Sequence, residues 1–195
     1  MSVIKKKLLA DYESNHIVMV DPHMHQDKSH YSDLYKIFSS LNKIFLANKT
    51  RQTIVFDENG KFEELYDLAD PSVSKIFYNC DDIWIRDYLP KIYISDGSKK
   101  MIRYRFNAYG EKYNYKNDNN FKEIFNYASD EIDLDNFVLE GGNLEFSASG
   151  ILITNMHCIK KNNIANYTIN AEEKINRMTA ELGIRELFTI NLNGI

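Results

Sequence analysis

Several things are scarce in these 195 residues, and each scarcity narrows the reading. Two cysteines, Cys80 and Cys158, are too few for a disulfide scaffold and favour a reducing compartment. No apolar run approaches the length needed to span a bilayer. After Lys5–Lys7 the apolar stretch is only Leu8-Leu9-Ala10, too short for a signal-peptide core. A cytoplasmic protein with no membrane partner is therefore expected. Basic charge is not in excess either: 24 Lys plus Arg stand against 28 Asp plus Glu, a net charge of -4, and nothing pulls the chain toward nucleic acid. No glycine-rich phosphate loop follows the first predicted strand, which excludes a plain dinucleotide-binding unit. No cofactor is expected.

What the chain does contain is enough to fold. Hydrophobic residues make up 44% and aromatic residues 13%, with 13 Tyr and 11 Phe, a composition that fills a core. The length fits one domain, or one large piece of a larger one. Ile17–Val20 reads as a short strand. Tyr31, Leu34, Tyr35, Phe38, Leu41 and Phe45 then fall at helical spacing. Ile54–Phe56 is a strand closed by the turn signal Asp57–Gly60, and a short helix is expected between Phe62 and Leu68. A strand over Lys75–Tyr78 follows. Lys91–Ser95 and Met101–Phe106 form a hairpin about Asp96-Gly97. Asn107–Asn120 suits an ordered loop, Phe121–Tyr127 a short helix and Phe137–Leu139 a strand. Leu144–Phe146 and Ile151–Thr154 form a second hairpin. A last helix, capped by Asn170 with Ile175, Met178 and Leu182 on one face, stops at Gly183, and Leu187–Ile190 closes the series. The expected class is mixed α/β.

Two segments carry chemistry. Asp81-Asp-Ile-Trp-Ile-Arg-Asp87 packs three aspartates, an arginine and the single tryptophan into seven residues. If it were a strand, Asp81, Ile83, Ile85 and Asp87 would point one way and Asp82, Trp84 and Arg86 the other. So many charges between apolar strands must be paired or must bind something. A carboxylate beside an indole is a good receptor for a flat cation, which the ring attracts through its face while the carboxylate supplies directional hydrogen bonds. The alternative is that Arg86 pairs with one of the aspartates and the group merely staples a turn. The second segment, Glu140-Gly-Gly-Asn143, puts a carboxylate at a strand end before two glycines that allow close backbone approach and unusual dihedrals. A tight turn with a surface glutamate is the plainer reading.

His23, His25 and His30 read as a surface loop, and zinc lacks a convincing fourth ligand. No metal is expected. Each cysteine reads as buried or inert: the carboxylates after Cys80 oppose a thiolate there. His157 and Cys158 are neighbours on a strand and point to opposite faces.

The segments recur in order in a known family. Asp81-Asp82-Ile-Trp84-Ile-Arg86-Asp87-Tyr-Leu-Pro90 resembles the Asn-Asp-x-Trp-x-Arg-Asp-x-Gly-Pro of the agmatine deiminases and bacterial-type peptidylarginine deiminases, in the pentein superfamily. Phe106-Asn-Ala-Tyr-Gly-Glu-Lys-Tyr113 resembles that family's Phe-Asn-Ala-Trp-Gly-Gly-Lys-Tyr, and Leu139–Asn143 its Leu-Glu-Gly-Gly-Ser. Thr154–Cys158 matches a later Thr-x-x-Cys segment, and Asp21-Pro-His23 its Trp-Pro-His. The departures are Asp81 for Asn, Tyr88-Leu89 for a small residue and Gly, Tyr109 for Trp and Glu111 for Gly.

The resemblance implies a partial pentein of ββαβ modules, about half of a five-module ring, with residues 1–195 a single incomplete deiminase-like domain. It implies that Asp87 grips a substrate guanidinium and that Asp82 and Trp84 line the same pocket. Glu140 is implied as the catalytic carboxylate that helps hold the family's histidine. That histidine and the nucleophilic cysteine have no counterparts in these 195 residues, so the polypeptide is expected to be inactive alone. Its expected partner is a guanidinium compound, agmatine or arginine-like. A non-catalytic guanidinium-binding module is the competing reading. Self-association, or pairing of the open module edge with a missing C-terminal half, is also expected.

Overall fold

The computed structural model describes residues 6–8, 14–25, 27–60, 63–95, 97–121, 123–124, 131–156, 159–160 and 171–190. Among them the strands are β1 (Lys6–Leu8), β2 (His16–Val20), β3 (Arg51–Phe56), β4 (Val73–Phe77) and β5 (Lys91–Ser95). They continue with β6 (Ser98–Arg105), β7 (Glu131–Val138), β8 (Leu144–Phe146), β9 (Ile151–Thr154) and β10 (Glu186–Thr189). The chain divides into two compact units. One comprises residues 14–85 and 116–121; the other comprises residues 1–13, 86–115 and 122–195.

The first unit is built on a parallel sheet of order β2-β3-β4. The long helix α1 (Tyr31–Ala47) connects β2 to β3, as a parallel crossover requires. Its Phe38, Phe45 and Leu46 pack on a core of Met19, Ile54, Phe56, Leu65, Tyr66 and Val73. β3 is the centre strand, and Gln52 through Phe56 are all buried. Such a continuous buried run is what a parallel strand covered on both faces shows. The short helix expected near Phe62–Leu68 is a single 3-10 turn at Glu63–Leu65.

The second unit holds two sheets. In one, β1 and β6 flank β5 antiparallel, and β7 joins β6 in parallel. In the other, β8 and β9 form the expected hairpin and β10 lies parallel to β9. With the helix Ala171–Leu182 between β9 and β10, this is one ββαβ module. Ile175, Met178 and Leu182 are all buried against Phe137, Leu139, Leu144 and Leu152, which is the apolar stripe their spacing implied. Gly183 ends the helix with a φ of +67°, a left-handed conformation that glycine adopts at little cost.

Three readings need correction. The alternating strand facing considered for Asp81–Asp87 does not apply: the chain bends after Cys80 and makes one helical turn at Ile85–Tyr88. The Asp82 carboxylate accepts the next amide, of Ile83, at 2.7 Å, and such local bonds compete with a strand ladder. Part of the loop expected over Asn107–Asn120 is a helix, Lys116–Phe121, whose start is held by Asp81 accepting the amides of Asn117 and Asp118 at 2.6 and 3.4 Å; the helix expected over Phe121–Tyr127 falls mostly outside the described residues. His23 is buried rather than on a surface loop. Lys122 and residues 125–130, Asn170, His157 and Cys158 lie outside the described residues.

Candidate functional site

Asp82 and Trp84 belong to the first unit. The Trp84 indole is 52% exposed and stands T-shaped to the His25 ring, with ring centroids 6.2 Å apart. Its face is thus of the kind that attracts a cation. A reciprocal clasp holds the segment just before it. Asp118, buried, accepts the amides of Asp81 and Asp82 at 2.7 and 3.4 Å, while Asp81 accepts from Asn117 and Asp118. Two carboxylates thus fix the backbone around Asp82. Burial pushes the Asp118 carboxyl up to about 7, against the pull of its two amide donors. Asp118 is a structural residue the sequence reading missed, because its role depends on contacts 36 and 37 residues away.

In the same unit, His23 bridges two aspartates. Its Nδ1 lies 2.6 Å from Asp21 Oδ1 and its Nε2 2.7 Å from Asp57 Oδ2. Burial alone would raise Asp57, but bonds from His23 and Asn59 outweigh it and bring the carboxyl to about 2. The Asp21-Pro-His23 motif therefore braces the ends of β2 and β3. Among the described residues no group of three or more His, Cys, Asp or Glu could hold a metal ion.

Asp87 and Glu140 belong to the second unit. The Asp87 carboxylate is held on both oxygens: Oδ1 accepts the Gly142 amide at 2.9 Å and Oδ2 accepts the Tyr109 hydroxyl. Beneath it the buried Tyr104 hydroxyl donates to the Leu89 carbonyl at 2.8 Å and approaches the Asp87 carbonyl at 3.3 Å. Burial raises that phenol, so it stays protonated and remains a donor. Glu140 precedes the turn Gly141–Asn143 as its N-terminal cap, half-buried.

The two glycines are required by close approach. A methyl on Gly141 would strike the Arg86 carbonyl and the Tyr104 hydroxyl, and one on Gly142 would strike Asp87 Oδ1. Neither has a positive φ, so space decides, not unusual dihedrals. Glu140-Gly-Gly is thereby packed directly onto Arg86-Asp87. Arg86 pairs with Glu145, and both side chains are about half exposed; such a pair contributes little to stability. Of the residues expected at the site, Asp87 and the Glu140 turn are thus brought together in one unit, while Asp82 and Trp84 lie in the other.

The Asn107–Lys112 segment supplies Tyr109. Ala108, Tyr109, Gly110 and Glu111 all have positive φ, at 45°, 61°, 86° and 64°. Asn107 stabilises this left-handed turn by accepting the Gly110 amide on its side chain at 3.1 Å and the Glu111 amide on its carbonyl at 2.6 Å. Left-handed backbone is disfavoured for residues other than glycine, and such conformations concentrate at functional sites.

Comparison with known proteins connects this geometry to a family. The model of the Porphyromonas-type peptidyl-arginine deiminases matches residues 8–194. An agmatine deiminase of Stutzerimonas stutzeri is 31% identical over 104 residues, covering 49% of this chain and 28% of that protein. A structure of C. jejuni agmatine deiminase with substrate bound is similar over 100% of this chain and 59% of its own, at a TM-score of 0.82 and 20% identity. The agmatine deiminase of Enterococcus faecalis gives a TM-score of 0.74 at 18% identity, covering 95% of this chain and 53% of that one. The fold is accordingly a mixed α/β partial pentein, and the chain spans somewhat more than half the length of the solved structures it matches.

Proposed function

This chain belongs to the Porphyromonas-type peptidyl-arginine deiminase family, and from that membership we propose that it is the guanidinium-gripping part of an agmatine deiminase-like hydrolase. The ancestral reaction is agmatine plus water to N-carbamoylputrescine plus ammonia. Agmatine is preferred over peptidyl arginine because the 31% identical relative is an agmatine deiminase.

The observation that carries this reading is the state of Asp87. Its carboxylate is fixed from both sides by the Gly142 amide and the Tyr109 hydroxyl, and Glu140 stands at the head of the turn that supplies one of those donors. A carboxylate held in one orientation suits a planar, bidentate cation, whose fork of N–H donors demands a defined plane. Holding the substrate this way supplies the orientation on which attack at the guanidinium carbon depends. In this reading Glu140 sits near the reacting carbon. There it would orient and help keep protonated the family's histidine. Attack belongs to a cysteine thiolate, with ammonia leaving and water resolving the covalent thiouronium.

A second reading, binding without turnover, is favoured by one observation. Cys80 is buried, whereas reactive cysteines sit in partly exposed surroundings. The 195-residue polypeptide is therefore expected to bind agmatine and release no ammonia. An enzyme-coupled ammonia assay on the purified polypeptide tests this. Release above background that disappears in Asp87→Ala would overturn the non-turnover expectation and leave the family reaction standing.

A further inference from the structure

Tyr109 stands where the family motif carries tryptophan, and nothing above assigns it a role in recognition. We propose that Tyr109 is a positioning residue for guanidinium binding: its hydroxyl and the Gly142 amide together fix the plane of the Asp87 carboxylate, leaving the remaining acceptor positions for a planar cation. The proposal rests on the reading of Asp87 as the guanidinium-gripping carboxylate.

The left-handed turn is what delivers the hydroxyl. Three non-glycine residues in succession with glycine adopt positive φ, and the turn is closed by the amides of Gly110, Glu111 and Lys112 bonding back to Asn107 and Ala108. The Tyr109 ring is held edge-on between Phe106 and Tyr113, with centroids 5.8 and 6.4 Å away. Those ring contacts locate the side chain, and the hydroxyl then reaches Asp87 Oδ2. The ring contacts do not need the hydroxyl. Phenylalanine would keep them and lose only the donor.

Two roles for such a hydroxyl are conceivable: a plug that the ligand must displace, or a support that stays in place. Acceptor capacity favours the support. An ionised carboxylate offers about four lone-pair sites, and Tyr109 and Gly142 occupy one on each oxygen. A guanidinium fork needs one more on each oxygen, so both donors remain while the cation binds. With only the Gly142 amide left, the carboxylate can rotate. A planar cation would then suffer more than a compact ammonium, whose rotatable N–H groups donate to acceptors in many directions.

The test measures binding of agmatine and of 1,5-diaminopentane, an ammonium ligand of similar reach, to the 195-residue protein and to Tyr109→Phe at one ionic strength. Loss of a hydrogen bond to an ionised group should weaken agmatine binding about 10- to 100-fold, and diaminopentane binding by much less, so the preference for the guanidinium falls about tenfold or more. Parallel weakening of both ligands, or no weakening of either, overturns the proposal. Asp87→Ala separates it from the reading beneath it. Agmatine binding lost in Asp87→Ala but unchanged in Tyr109→Phe removes Tyr109 alone; no agmatine binding by the folded wild type removes both. Should Tyr109→Phe fail to fold, 3-fluorotyrosine placed at position 109 keeps the hydroxyl. Its fluorine resonance should shift on saturation with agmatine, and a resonance that does not move overturns the proposal.

Discussion

The Gly142 amide donates to the Asp87 carboxylate at 2.9 Å, joining two segments 55 residues apart. The bond exists only because residue 142 has no side chain: a Cβ there would collide with the accepting oxygen. One contact therefore ties the sequence requirement for glycine to the orientation of the carboxylate expected to hold the ligand.

Gly142→Ala should cost about 1–3 kcal/mol of stability, the usual range for forcing a methyl into occupied space, and should weaken agmatine binding. Gly97→Ala is the comparison. Gly97 has a φ of +78° but nothing within 4 Å of a built Cβ, so its cost is about 1–2 kcal/mol of backbone strain alone, with binding unchanged. Urea melts and ligand titrations on both variants check this. Equal binding by Gly142→Ala and wild type would show that the amide contact does not matter to the site.

Asp118 gives the unit containing Asp82 a pH dependence of defined sign. Burial raises its carboxyl to about 7 from an ordinary value of 3.8. The native state thus keeps a proton that the unfolded chain has released, and stability falls as pH rises from about 4 to about 7, then levels. Asp118→Asn keeps an acceptor for the Asp81 and Asp82 amides and removes the titration. Its urea midpoints should lack that part of the slope, and a slope as steep as that of wild type would contradict the assignment.

His23 has the opposite pH sense through Asp57, which is brought to about 2 from 3.8. Stability from that carboxylate is present above about 4 and lost as pH falls through the window down to about 2. His23→Ala leaves the buried Asp21 and the partly buried Asp57 without the ring between them, and a buried acceptor left unsatisfied costs about 1–3 kcal/mol. Denaturant melts at pH 7 and an acid titration followed by circular dichroism check both parts. A variant as stable as wild type would show the bridge to be dispensable.

Elements with strong local signals were legible from the sequence. The apolar spacing of Ile175, Met178 and Leu182, and the Leu144–Phe146 and Ile151–Thr154 hairpin, correspond directly to the observed helix and strands. The motifs also marked two segments that pack together, since Asp87 and the Glu140 turn meet in one unit. What could not be read was anything set by long-range pairing. Asp118 looks like an ordinary loop aspartate until it is seen accepting two amides from 36 and 37 residues away. His23 looks like a loop histidine until Asp57 arrives from the end of another strand. The left-handed turn at Ala108–Glu111 has a glycine at only one of its four positions, so the usual sign of positive φ was nearly silent. The family's second glycine of that motif is Glu111 here, and the side chains and bonds of Asn107 and Tyr109 hold a conformation that glycine would adopt freely.

The role proposed for Asp87 is to grip a guanidinium. It is tested most directly by calorimetric titration of agmatine into the folded 195-residue protein and into Asp87→Ala. Saturable binding by the wild type, weakened at least about tenfold in the variant as expected for loss of a charge-assisted bidentate contact, is the predicted result. Equal binding by the two proteins, or no heat from the folded wild type at millimolar agmatine, would contradict it.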